Sequence, residues 1–535
     1  MRLTDYLDKG ASLNPAAPCL TMDGRTRTYA EVQRLSWLIG RALARSGVKH
    51  GDKVAVLSAN DPVAFASVFG IARAGAIWCA IDPRNEAPED RALLDLLDCT
   101  CLIFQGAFAP LVARIAVDLP RLKTLICLDA VTENCPAGVV AFRDWLQGLD
   151  RPDSFAGFGA ARDPGTPTDP GPGAVFNGDE VVMIVSTGGT TGRPKGVLLT
   201  DHNIETMTAL TLMSYPFSGR PVYLAVSPLT HAAGVLCFPV MALGGQIVIM
   251  PTPDLTEFLV LIEQHQVTHA FLPPAMIYML LDHPALGNAE LSSLQCLWYG
   301  AAPMSSVRLA EAVDKIGPVM GQLFGQAEAP MISTMAPAEH FRADGSKALE
   351  RYASAGRPTP LATVAIMDEH GSLMPTGERG EIVVRGPLVM AGYYGDRAAT
   401  ADVSRHGWHH TGDIGYLDAA NYLYIVDRAD DMIITSGFSV YSAEVEQALL
   451  QHPSVLDCAV IGLPDSKWGE RVTAVIQPHP GSELTDAEVR SFVTSRLGSL
   501  KAPKQVEMWR DLPRSRIGKI LKAEVRSRLL RGDSG

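Results

Sequence analysis

The stretch STGGTTGRPKG, Ser186–Gly196, concentrates side chains that could do chemistry. It holds four glycines, three threonines and a serine, ends in Pro-Lys-Gly, and contains no large apolar side chain. It follows VVMI, an apolar run that reads as a buried strand. Loops rich in glycine and hydroxyls can fold their backbone N–H groups around an anion, and a nearby lysine adds charge. The stretch does not match the phosphate-loop pattern GxxxxGK[ST]. A flexible surface turn would account for the glycines, but not for hydroxyls, Arg193 and Lys195 crowding one turn. Anion binding is the expectation.

Four further stretches are chemically loaded. FGQAEAP, Phe324–Pro330, puts an aromatic, a glycine and a single carboxylate where a strand should pass into a loop. HHTGDIGYLD, His409–Asp418, sets Asp413 among small residues, and Asp427-Arg428 stands close to Asp430-Asp431. PRSRIGK, Pro513–Lys519, carries a lysine on a glycine-containing loop. Taken singly, each reads as solvated surface. Taken together and in this order, they form a constellation.

The elements around these stretches must position them. KVAVLS (Lys53–Ser58), AIWCAID, CLIF, TLICL, QIVIM, THAFLP and QCLWYG read as short strands, and PVAFASVFGIARAG reads as a helix. Alternation of this kind predicts parallel sheets with helices on their faces. Residues 151–180, rich in Gly, Pro and Asp, read as a mobile connector. Beyond a charged break at Asp427–Asp431 the pattern changes. Helices at SAEVEQALLQHP and TDAEVRSFVTSRL alternate with strands near DCAVIGL, RVTAVIQ and QVEMW. The fold class is therefore α/β: a large N-terminal domain, 1–429, of parallel-rich sheets, and a small mobile α+β C-terminal domain, 430–535.

With 535 residues, 47% hydrophobic and 19% charged, a sizeable core is available. A net charge of −12 argues against nucleic acid as the main partner. No signal peptide or apolar run long enough to span a membrane is read, so a soluble protein is expected. The nine scattered cysteines show neither zinc-site spacing nor an even disulfide set, and read as buried thiols in a reducing cytoplasm.

The ordered set TGGTTGRPKG, PLTHAAG, YGAAP, FGQAE, HTGD, DRADDMI and PRSRIGK resembles the adenylate-forming superfamily of acyl-CoA synthetases, adenylation domains and luciferases. The resemblance runs over nearly the whole chain. It implies a ligase that joins a carboxylic acid to ATP as an acyl-adenylate, releasing pyrophosphate, and then passes the acyl group to coenzyme A with release of AMP. The implied cofactors and partners are ATP, Mg²⁺, coenzyme A and a small carboxylic acid, and a homodimer is left open.

The resemblance also implies roles. Thr187, Gly188, Gly189, Thr190, Thr191, Gly192 and Lys195 would hold the ATP phosphates. Phe324 would stack on adenine, with Gly300, Ala301, Ala302 and Pro303 opposite and Gly325, Gln326 and Ala327 completing the AMP site. Asp413 would accept from the ribose hydroxyls with help from Arg428. Glu328 would ligate Mg²⁺, and Lys519 would stabilise charge as the acyl–phosphate bond forms. The acyl pocket would involve His231, Ala232, Ala233, Phe271, Ala301, Leu323, Gly325 and Pro330, roomy enough for a bulky, aryl or medium-to-long acyl group. A lone histidine is usually structural, but the motif position of His231 favours a site role. Asp430 would be the hinge and Gly437 would line the pantetheine tunnel.

Two positions depart from the family pattern. Gly188 stands where serine is usual, and Ala327 replaces the threonine that normally helps bind the adenylate phosphate. Transfer to a carrier-protein phosphopantetheine arm, or a non-catalytic nucleotide- or acyl-CoA-binding homologue, are the competing readings. No carrier domain is seen in the sequence, and retention of Lys195, Glu328, Asp413 and Lys519 favours catalysis.

Overall fold

A computed structural model describes residues 1–149, 178–187, 194–229, 232–435, 438–465, 467–514 and 520–532. The connector expected over 151–180 lies almost wholly outside them. Two parallel-rich sheets of eight and nine strands build the N-terminal part. In the eight-stranded sheet, Lys53–Leu57 pairs in parallel with Ile77–Ala80 and Cys99–Phe104, and the latter with Thr124–Cys127. The nine-stranded sheet runs through Met320–Phe324, Cys296–Tyr299, His269–Phe271, Val222–Ala225 and Gln246–Ile249, all mutually parallel. Each of the seven apolar runs read as strands is one, six of them trimmed at their ends and CLIF extended back to Cys99.

Local chemistry explains where the helices begin. Pro62–Arg73 starts at Asp61, whose carboxylate accepts from the N–H groups of Val63 and Ala64, with proline pre-set in the first turn. Tyr29–Arg45 starts in a reciprocal cap between Thr28 and Glu31. Pro62–Arg73 is apolar nearly all round because it is buried nearly all round, from Ala64 to Ile71. Phe69 meets Phe238 edge-on at 6.2 Å, and Tyr6 stacks on the same ring at 5.1 Å. Each such fully buried aromatic contributes roughly 1.5–3 kcal/mol.

A third sheet was not anticipated by the strand reading. Thr363–Met367, Gly380–Arg385, His409–Leu417 and Leu423–Arg428 form an antiparallel four-stranded sheet, so HTGD lies on a strand rather than in a loop. The chain then turns through a short 3-10 helix, Ala429–Asp431. Beyond it, Ser442–Leu449 and Asp486–Lys501 pack with a sheet built on Val455–Asp465 and Gly469–Pro478, which has its own apolar core. Gln505–Met508 joins that sheet in parallel. All nine cysteines are free, and eight of them are buried.

Candidate functional site

Parallel sheets place ligands at the carboxyl ends of their strands. Val222–Ala225, His269–Phe271, Cys296–Tyr299 and Met320–Phe324 are consecutive neighbours in one sheet. Phe271, YGAAP and FGQAE therefore lie side by side at the carboxyl ends of neighbouring strands. The backbone there is closely packed. A Cβ on Gly300 would lie 2.3 Å from the Leu323 carbonyl oxygen, and one on Gly325 would lie 2.5 Å from the Met331 nitrogen. Only glycine allows the two exits to close on each other. Ala301 adopts φ +65, a left-handed conformation uncommon for residues with a side chain.

The exit at Phe324 is tied to the antiparallel sheet through Gln326. Its Nε2 donates to the Thr411 carbonyl at 2.7 Å and to Asp413 Oδ2 at 2.8 Å. Arg428 sits directly across the strand pair from Asp413 and donates from Nη1 to Oδ1 at 2.9 Å. Asp413 is buried, and these charge-assisted bonds fix its carboxylate. Glu381 holds the turn behind it. Its carboxylate accepts from the Gly412 N–H at 3.0 Å and lies 2.7 Å from His410 Nδ1. Sequence reasoning missed Glu381, which has no spacing signature of its own. Beside it, burial lowers the His409 imidazole to about 4.

Glu328 faces the other sheet. Its Oε1 accepts from the Tyr393 hydroxyl at 2.8 Å, and its carbonyl accepts from the Met390 N–H at 2.8 Å. Tyr393 lies on Gly392–Tyr393, which pairs with Lys195–Thr200 at the edge of the eight-stranded sheet. Lys195 sits with its Nζ 4.9 Å from the centroid of the Tyr393 ring. Thr187 and Lys195 are paired across the base of the glycine-rich hairpin. The Lys195 end of the glycine-rich hairpin and the Glu328 carboxylate thus meet at Tyr393. Burial first, then the Glu328 charge, pushes the Tyr393 phenol up. Among the described residues, no three His, Cys, Asp or Glu side chains are grouped as a metal cage.

Gly188, Gly189, Thr190, Thr191, Gly192, His231, Gly437 and Lys519 lie outside the described residues. Phe271, Leu323 and Ala327 are partly buried and pack on the main core. Pro330 is half-buried, and Ala301 and Pro303 are exposed. Asp430 is exposed in the Ala429–Asp431 turn.

The chain around that turn carries a charge cluster that the sequence reading did not foresee. Buried Asp427 accepts from the Ser442 N–H, and from Ser442 Oγ at 2.9 Å. Lys522 donates to Ser442 Oγ at 2.6 Å and pairs with Glu446 at 2.9 Å. Burial pushes the Asp427 and Glu446 carboxyls up, against the pull of Lys522. In the Trp468-Gly469-Glu470 turn, Glu470 accepts from the Ile434 N–H at 2.8 Å and pairs with Arg526 at 3.3 Å.

The Gln326–Asp413–Arg428 and Glu328–Tyr393–Lys195 contacts are carried on the sheets of an adenylate-forming enzyme. The chain belongs to the AMP-binding enzyme family. That family matches residues 7–394, and the AMP-binding enzyme C-terminal domain matches residues 444–519. Feruloyl-CoA synthase from Amycolatopsis sp is 35% identical, over 97% of both chains. The medium/long-chain-fatty-acid–CoA ligase FadD8 of Mycobacterium tuberculosis is 42% identical over 66% of this chain and 62% of its own length. The amide bond synthetase McbA from Marinactinospora thermotolerans superposes with a TM-score of 0.83 at 29% identity, over 98% of this chain and 99% of that one. No helix among the described residues is long and apolar enough to cross a membrane.

Proposed function

We propose that the protein is an AMP-forming acid–CoA ligase acting on a bulky, aryl or medium-to-long-chain acid. The observation that carries this is a pair of knots tied to the one short segment Gln326–Glu328: Asp413 held by Gln326 and Arg428, and Glu328 held by Tyr393 beside Lys195. The first presents a fixed acceptor to the ribose hydroxyls. The second sets a cation and a carboxylate beside the loop that grips the phosphates.

In the first half-reaction a carboxylate oxygen of the acid attacks the α-phosphorus of ATP. The bond to the β-phosphate breaks, giving acyl-adenylate and pyrophosphate. Lys195 and the loop N–H groups hold the leaving phosphates, and Lys519 offsets charge at the α-phosphate as the bond forms. Glu328 would hold Mg²⁺; one carboxylate completed by phosphate oxygens suits an ion that is rarely caged by protein alone. Bound there, such an ion would supply positive charge to the phosphate oxygens. In the second step the CoA thiol sulfur attacks the acyl carbon, loses its proton, and AMP leaves with the former carboxylate oxygen. The segment from residue 430 onward turns about Asp430 between the two steps, bringing Gly437 to the thiol path.

The apolar side chains of Phe271 and Leu323 favour an uncharged acyl chain. The feruloyl and fatty-acid relatives favour aryl and aliphatic acids alike. Nine free thiols fit a reducing cytoplasm. Pyrophosphate and acyl-CoA are to be measured with ATP, CoA and a panel of ferulate, 4-coumarate, indoleacetate and medium- and long-chain fatty acids. Matching, acid-dependent formation of both products is expected. Pyrophosphate without acyl-CoA would point to another acceptor, and neither product would overturn the reading.

A further inference from the structure

The Tyr393 hydroxyl is well placed to act on the site without touching substrate. It donates to Glu328 Oε1 at 2.8 Å, and no other described hydrogen bond reaches that carboxylate. The ring is buried and carries the Lys195 ammonium 4.9 Å from its centroid, a cation–π contact. The backbone of Tyr393 is itself fixed. Its N–H donates to Thr400 Oγ1 at 2.9 Å, and Thr400 Oγ1 donates on to the Asp396 carbonyl at 2.7 Å. Three elements from different parts of the fold therefore meet on one side chain: the exit from Met320–Phe324, the strand closing the anion loop, and the Gly392–Tyr393 edge.

We propose that Tyr393 is a positioning residue. It aims the Glu328 carboxylate at the divalent cation that accompanies ATP, while its ring keeps Lys195 on the phosphate side of the same cleft. A half-buried glutamate has several rotamers within reach, and a single hydrogen bond from a rigid phenol selects among them. The neighbouring Lys195 would otherwise compete for the carboxylate as a salt-bridge partner. With Oε1 engaged by the phenol and the ammonium parked over the ring, Oε2 is left for the metal. Residues that orient a metal ligand in this way typically change metal affinity by about 10–100-fold when removed.

This rests on Glu328 being the metal ligand, so the test separates the two claims. Mn²⁺ serves as the probe, because carboxylate and phosphate oxygens suit it as they suit Mg²⁺. Its binding to the full-length protein with ATP is followed by electron paramagnetic resonance. Glu328→Gln should weaken Mn²⁺ binding; an unchanged constant would overturn the metal-ligand reading itself. Tyr393→Phe keeps the ring and removes only the hydroxyl, so it should weaken Mn²⁺ about tenfold or more. It should raise the Mg²⁺ needed for half-maximal adenylation while leaving the KM for ATP at saturating Mg²⁺ nearly unchanged. In a Glu328→Gln background the same change should add little, because the two act as one unit. Loss with Glu328→Gln but wild-type Mn²⁺ binding in Tyr393→Phe would overturn the proposal. If Tyr393→Phe does not fold, Thr400→Val carries the test, since it keeps the phenol but frees its backbone. A weakening of about threefold or more is expected there, and an unchanged constant overturns the proposal.

Discussion

At Ala327 the family's phosphate-binding threonine is replaced by a methyl, and the surroundings bear on the consequence. The neighbouring Gln326 cannot substitute as donor, because both hydrogens of its amide are engaged by Thr411 and Asp413. Ala327 itself is partly buried against the main core, where a methyl fits readily. A hydrogen bond to a charged group is worth ~1.5–3 kcal/mol, so Ala327→Thr is expected to speed adenylation by roughly ten- to a hundredfold. Single-turnover adenylate formation at saturating ATP and acid measures it; a flat or lower rate would mean that water already serves that oxygen or that the threonine is crowded. At this scale the sequence was legible where a residue belonged to a motif. Gln326, Asp413 and Arg428, singled out in three separate motifs, are joined by hydrogen bonds. Tyr393 and Glu381 were not legible. Each acts through one partner far away in the chain, and a single tyrosine or glutamate carries no period or spacing to betray it.

Among the elements, the Ala429–Asp431 turn separates two cores. Asp430 is exposed, and its short 3-10 turn can accept a proline in its first residues. We expect Asp430→Pro to leave folding and adenylation largely intact while lowering CoA transfer by roughly tenfold or more, because proline removes the φ freedom a hinge uses. Pre-steady-state assays of the two steps decide it: loss of the first with survival of the second would remove Asp430 from the hinge. The cluster joining both ends of this linker should also matter for stability. Lys522→Met strands the buried carboxylates of Asp427 and Glu446, at a cost of up to about 3–5 kcal/mol. Hydrogen exchange in Val455–Asp465 and Gly469–Pro478 should then be faster, and unchanged protection would contradict this. The sign with pH follows from the direction of the carboxyl shifts. Burial already raises both groups, and removing the ammonium raises them further. A group whose folded pKa is raised is destabilising once pH exceeds the folded value, so the deficit should shrink under mildly acidic conditions. The parallel strands were legible because they are buried on both faces and read as continuous apolar runs. The antiparallel sheet of Thr363–Met367 and its partners was not, because Thr363–Met367 is only half-buried and HTGD sets Asp413 among small residues with no continuous apolar run.

For the whole molecule, the account is a two-step ligase in which one cleft serves both half-reactions. On the proposed function, the large sheets would hold the ATP and acyl sites at strand ends, and the smaller C-terminal unit would supply Lys519 and the thiol path. What the fold alone does not specify is the acceptor, since adenylate-forming relatives include CoA ligases and an amide bond synthetase. The route of one oxygen atom tests the central claim most directly. An acid that gives acyl-CoA in the panel is prepared with oxygen-18 in its carboxylate and turned over with ATP and CoA, and the products are weighed by mass spectrometry. If the acid attacks the α-phosphate and the thiol then displaces AMP, each AMP carries one oxygen-18 and the pyrophosphate carries none. Oxygen-18 in the released phosphate, or acyl-CoA formed alongside ADP, would contradict it.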